Sequence, residues 1–212
     1  MKQKILLGTL ILFAASLWFA CGTSTKLTAH WGDKEYEKGR IKKILILGIA
    51  KRESIRRIFE DDMVEKLEYY GVVGFPSSQL FPIGEKLDTT SFRLHFKNEG
   101  FDAVLTSELV SSDKEQRYEP GYGYSGYGGG FYGNYGRSYN NMYSPGYTYT
   151  TTTIRIETNL YDTKTEKIIW SGISETFDPS NDMDAIRSLN RALTSVLNKQ
   201  GYFYDPKAKK KK

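Results

Sequence analysis

Residues 41–50 read Ile-Lys-Lys-Ile-Leu-Ile-Leu-Gly-Ile-Ala. The aliphatic run from Ile44 is nearly unbroken and is bounded by charge. A strand with one wet face would alternate apolar and polar residues; a run without that alternation suits a strand buried on both faces, inside a sheet covered by helices. The neighbours extend the pattern. Ser54 is placed to cap a helix in which Ile55, Ile58, Phe59, Met63, Leu67 and Tyr70 recur at steps of three and four, and Gly71 supplies the stop. Val72–Phe81 reads as a weaker strand broken by Pro76. Thr89 or Thr90 caps a short helix carrying Phe92, His95 and Phe96 and ended by Gly100, and Phe101–Val110 returns as a strand.

Further along, Ile154, Ile156, Thr158 and Leu160 alternate with polar partners, the period of a strand with one buried face. Asp162–Thr165 is a turn, and Lys167–Phe177 is the hairpin partner, with Trp170 the large core residue. Asn181 or Asp182 then caps a helix with Ile186, Leu189, Leu193, Val196 and Leu197 on one face and Arg187, Asn190, Arg191 and Asn198 on the other, ended by Gly201. The order is β-α-β-α-β-β-β-α. It predicts an α/β (α+β) domain over residues 41–204, a single mixed sheet of about five strands with three helices.

Between the two halves lies residues 118–149, holding ten of the chain's sixteen tyrosines in a Gly, Ser and Asn background. Neither a helix nor a strand period survives there, and so many glycines against so few aliphatics predict a disordered low-complexity insertion. Tyrosine has a flat apolar ring and a polar edge and loses little rotamer entropy on contact. Tyr122, Tyr124, Tyr127, Tyr132, Tyr135, Tyr139 and Tyr143 are therefore the candidate binding loop, for glycan or a protein surface.

The amino terminus specifies a compartment. Lys2 and Lys4 precede an apolar run from Ile5 to Ala20, and Cys21 follows, the layout of a secretory signal over residues 1–20. The cysteine at the cleavage point resembles a bacterial lipoprotein signal, in which the thiol receives diacylglycerol. Leu17 stands one place further from the cysteine than in the usual lipobox. A transmembrane anchor needs ~20 apolar residues and this run is shorter. A plain cleaved signal leaving a free thiol is the other alternative. Cys21 is the only cysteine, so it has no intramolecular partner, which favours lipidation there and membrane attachment through that lipid. Gly22, rather than Asp, follows it, which points to the outer membrane. Residues 21–40 read as a tether.

The net charge of +5 is misleading as a sign of nucleic-acid binding. Two lysines leave with the signal and five more sit in residues 207–212 of a tail at 205–212 expected to be disordered, so the chain between carries about −2. No catalytic or cofactor motif stands out. Gly121-Tyr122-Gly123-Tyr124-Ser125-Gly126 has dinucleotide-loop spacing but no helix pattern opens behind it. His30 and His95 lack metal-ligand spacing. Glu60-Asp61-Asp62 point in different directions on a helix and read as a solvated face. No Gly-x-Ser-x-Gly occurs.

The hairpin phrase Leu160-Tyr161-Asp162, turn, Ile168-Ile169-Trp170, small residue, Gly172 resembles that of uncharacterised bacterial envelope lipoproteins. Their domain is similar to the amino-terminal domain of the Tol-Pal translocation protein and the core of the curli secretion lipoprotein. The resemblance implies no catalytic residues and no cofactor. It implies a non-enzymatic envelope lipoprotein acting as scaffold or assembly partner, with an envelope protein as its partner. The alternative is a module that binds glycan, peptidoglycan or protein through the tyrosine-rich loop.

Overall fold

The computed structural model describes residues 23–80, 99–119, 131–143 and 146–204. In chain order these form β1 (Thr25–Gly32), β2 (Lys43–Ile49), α1 (Glu53–Glu68), β3 (Val73–Pro76), β4 (Ala103–Glu119), α2 (Phe131–Tyr143), β5 (Tyr147–Asp162), β6 (Ile168–Phe177) and α3 (Asp182–Lys199). The strands make one sheet in the order β1-β6-β5-β4-β2-β3. β2 runs parallel to β3 and β4, whereas β4, β5, β6 and β1 pair antiparallel, so the sheet is mixed.

The aliphatic run at 41–50 becomes β2, with Ile44, Leu45 and Ile46 fully buried. α1 and α3 pack against each other and lie over the sheet face that carries Ile44, Ile46, Leu105, Leu160 and Trp170. Asn181 caps α3, its side chain accepting from the Asp184 N–H at 2.9 Å. α1 starts differently: the residue before it is Arg52, no side chain caps it, and Ser54 lies inside the first turn. The hairpin turn is tied by Asp162, whose carboxylate accepts from the backbone and hydroxyl of Thr165, both at 2.8 Å. Gly172 has a steric reason, since the Trp170 ring lies so close that a Cβ there would sit 2.4 Å from it.

Three expectations need correction. The sheet has six strands rather than five, because residues read as tether form β1. That segment has no sustained apolar period, but the exposed edge of β6 offers it a row of backbone partners from Thr25↔Thr176 to Gly32↔Trp170. Among the described residues two helices pack on the sheet rather than three; the expected helix from Thr89 or Thr90 lies outside the described residues except at its end, where Glu99 is helical and Gly100, at φ +64°, makes the expected stop. The tyrosine-rich insertion is not wholly irregular, since β4 runs to Glu119, β5 begins at Tyr147, and α2 stands between them. Backbone pairing of β4 with β5 orders a segment whose side chains carry no burial pattern.

Candidate functional site

β6 ends its pairing with β5 at Thr153↔Phe177. β4 and β5 continue past that level as a two-stranded ribbon, from Lys114↔Thr152 to Glu119↔Tyr147. Those pairs, at ~3.3 Å per residue, carry the ribbon ~20 Å beyond the sheet. Near its end the Tyr118 ring lies across Gly146, whose Cβ position would be 2.3 Å from the phenolic oxygen. α2 follows the ribbon in the chain, and no other described strand or helix packs broadly against it.

On α2, Tyr132, Tyr135, Tyr139 and Tyr143 fall at steps of three, four and four, which places them along one face. The rings touch in sequence: Tyr135 and Tyr139 stack with centroids 6.1 Å apart, and Tyr139 and Tyr143 approach to 4.5 Å. All four remain exposed, from 50% at Tyr139 to 87% at Tyr132. Tyr118 and Tyr147 add exposed rings on the ribbon, and Tyr147 lies 6.1 Å from Tyr149. Four of the seven candidate tyrosines thus share one stripe. Tyr122, Tyr124 and Tyr127 lie outside the described residues, as does Cys21.

Thr23, two residues after Cys21, is held to the domain: its carbonyl accepts from the Ser188 hydroxyl of α3 at 2.9 Å. β1, which follows, is an edge strand, and among the described residues nothing pairs with its outer side. Trp31 on β1 is 54% exposed, and His30, expected in a tether, sits opposite Gly172 in the same strand pairing. His95 lies outside the described residues.

The far end of the sheet carries an open depression of about 890 Å³ lined by Tyr36, Arg40, Lys42, Asp102, Asp162 and Tyr204 among others. Its charges have structural employment. Asp102 accepts from the backbone N–H groups of Lys42 and Lys43 at 2.8 and 3.0 Å, Asp162 ties the hairpin turn, and Lys42 lies 4.2 Å over the Tyr204 ring. Burial, with the Asp162 charge next in weight, pushes the Tyr36 phenol up to about 12. Tyr202, stacked on Tyr36 at 6.0 Å, is raised by burial and then by Asp33.

Of the acidic trio on α1, Asp61 is exposed as a solvated face requires, but Glu60 and Asp62 are not. Glu60 is fully buried and accepts from the N–H of Gly48 at 3.0 Å, the N–H of Ser78 at 2.8 Å, the Ser77 hydroxyl at 2.6 Å and Arg56 Nε at 3.1 Å. Asp62 accepts from Asn190 Nδ2 at 2.9 Å, and Asn190, expected on the polar side of its helix, is buried as well. Both carboxylates join elements. Among the described residues no group of three or more His, Cys, Asp or Glu is placed to hold a metal ion, and no helix is long and apolar enough to cross a membrane.

Fold and site together define a class: a mixed-sheet α/β domain with two described helices packed on one face and a two-stranded aromatic arm. A family model described as a domain of unknown function, DUF4136, matches residues 83–200, and the chain belongs to that family. No curated protein matches it. Among solved structures the chain is similar to the PelC dodecamer from Paraburkholderia phytofirmans, at 13% identity and a TM-score of 0.41, over 82% of this chain and 95% of that one. It is also similar to the lipoprotein GNA1162 from Neisseria meningitidis, at 16% identity and a TM-score of 0.39, over 75% of this chain and 96% of that one.

Proposed function

We propose that this chain is a non-enzymatic lipoprotein of the cell envelope, held on the outer membrane by lipid on Cys21, whose α/β domain acts as a scaffold or assembly partner. The observation that carries the reading is β1. An eight-residue edge strand whose outer side pairs with none of the described residues is a template for strand addition by another chain, and Trp31 within it is an exposed aromatic of the kind that anchors interfaces. The hairpin phrase shared with envelope lipoproteins related to the Tol-Pal translocation protein and the curli secretion lipoprotein supports the same reading. A photo-crosslinking residue at position 31, in protein made in its native host, tests it. The expected result is a discrete adduct with an envelope protein. Recovery of folded protein with no protein adduct overturns the reading.

A second reading, binding of glycan or peptidoglycan, is favoured by the exposed stripe from Tyr132 to Tyr143, whose flat ring faces suit sugars. Removing residues 120–145 would then abolish pull-down by cell-wall material, and undiminished pull-down sinks it.

A further inference from the structure

The aromatic arm and the lipid-attachment point leave the domain at the same end. β1 begins at Thr25, level with Thr176 of β6 and, across the sheet, with Ile154 of β5. The residues that precede Thr25 therefore leave the sheet from the end at which β4 and β5 continue into the ribbon. The two reaches differ. Cys21 is only two residues from Thr23, which Ser188 holds, so it extends at most ~7 Å from that fixed point. The ribbon alone extends ~20 Å. A bilayer that takes up acyl chains on Cys21 therefore meets the arm before it can clear it.

We infer that the arm is an interfacial membrane contact, with the tyrosine stripe of α2 and the rings of Tyr118 and Tyr147 seated among lipid headgroups. The inference rests on the lipid-anchored reading above. The chemistry fits that occupant. Tyrosine places an apolar ring and a hydroxyl across the boundary between acyl chain and headgroup, which is why aromatic residues collect there. α2 contains no acidic residue to be repelled by anionic lipid and one basic residue, Arg137; the rest is Gly, Asn, Ser and Tyr, with only Phe131 and Met142 as wholly apolar residues. An amphipathic helix that fills a protein groove uses aliphatic anchors at these spacings, and α2 has none. With lipid at one point and aromatic rings at another, the domain is held in one orientation rather than swivelling on a single residue.

The test places a thiol-reactive environment-sensitive dye at Tyr139→Cys, and separately at Tyr69→Cys, in the Cys21→Ala chain. Tyr69 follows α1 at the opposite end of the sheet and is 84% exposed. A histidine tag in place of residues 1–20 tethers each chain to vesicles of phosphatidylethanolamine and phosphatidylglycerol containing a nickel-chelating lipid. This supplies the anchor whether or not Cys21 is naturally lipidated, and intact mass of the native-host protein reports on that separately. The expected result is a blue shift and several-fold stronger quenching by lipid-borne quencher at position 139 than at position 69. Equal, weak quenching at both positions overturns the inference. So does a response at 139 that appears only when cell-wall glycan or envelope protein is added.

Discussion

Glu60 shows how much one residue carries. It fastens the end of β2 through Gly48, the turn after β3 through Ser77 and Ser78, and its own helix through Arg56. Removing a buried partner leaves the donors around it unsatisfied, so Glu60→Ala is expected to lose about 3–5 kcal/mol in urea unfolding. A loss below about 1 kcal/mol would show that these bonds are replaceable by water. Tyr36 makes a pH-dependent contribution. Its phenol titrates at 10.0 in the unfolded chain and at about 12 in the fold, so the stability it confers is complete below pH 10.0 and is lost as pH rises toward about 12. Tyr36→Phe should flatten part of that alkaline decline in the urea midpoint, with Tyr202 and Lys66, both raised, contributing to what remains. Neither role was legible beforehand. Glu60 stands in a run of three acids that reads as solvent-facing, and only the folded turn at Ser77 and Ser78 reveals its donors.

At the level of elements, legibility followed burial. β2, the β5–β6 hairpin and α3 each bury a face, so Ile44, Leu160, Trp170 and Leu193 impress a period on the sequence. β1 and the ribbon do not. Both are ordered by backbone pairing along one or two neighbours, which any side chain tolerates, so Thr-Lys-Leu-Thr-Ala-His-Trp-Gly and Ser-Asp-Lys-Glu-Gln-Arg read as polar chain. The tyrosines of α2 at 132, 135, 139 and 143 do fall at helical steps, but the glycines and further tyrosines around them hide that period in the sequence and disfavour a helix. Thr151 is buried and Thr152 is bonded to Asp178, but beyond them no described element of the core packs on the arm, so replacing residues 116–150 by a short turn is expected to leave the thermal transition of the sheet nearly unchanged. A fall of many degrees would mean that the arm supports the fold.

For the whole molecule, the structure shortens the stretch between Cys21 and the domain to two residues, where the sequence reads a tether of twenty. A tether of twenty residues would let a lipid-anchored domain tumble freely above a membrane; with Thr23 tied to α3 and β1 starting at Thr25, a lipid on Cys21 would instead hold the sheet close to the bilayer. Such close mounting suits a scaffold, because it fixes which edge and which end of the sheet face neighbouring envelope components. It also makes lipidation of Cys21 the claim on which the rest depends. The most direct measurement is the intact mass and membrane partition of the protein made in its native host, beside a Cys21→Ala version. The account predicts a mature chain beginning at Cys21, heavier by its acyl groups and recovered with the outer membrane, with both properties lost in the variant. An unmodified chain found free in the periplasm or medium would contradict it.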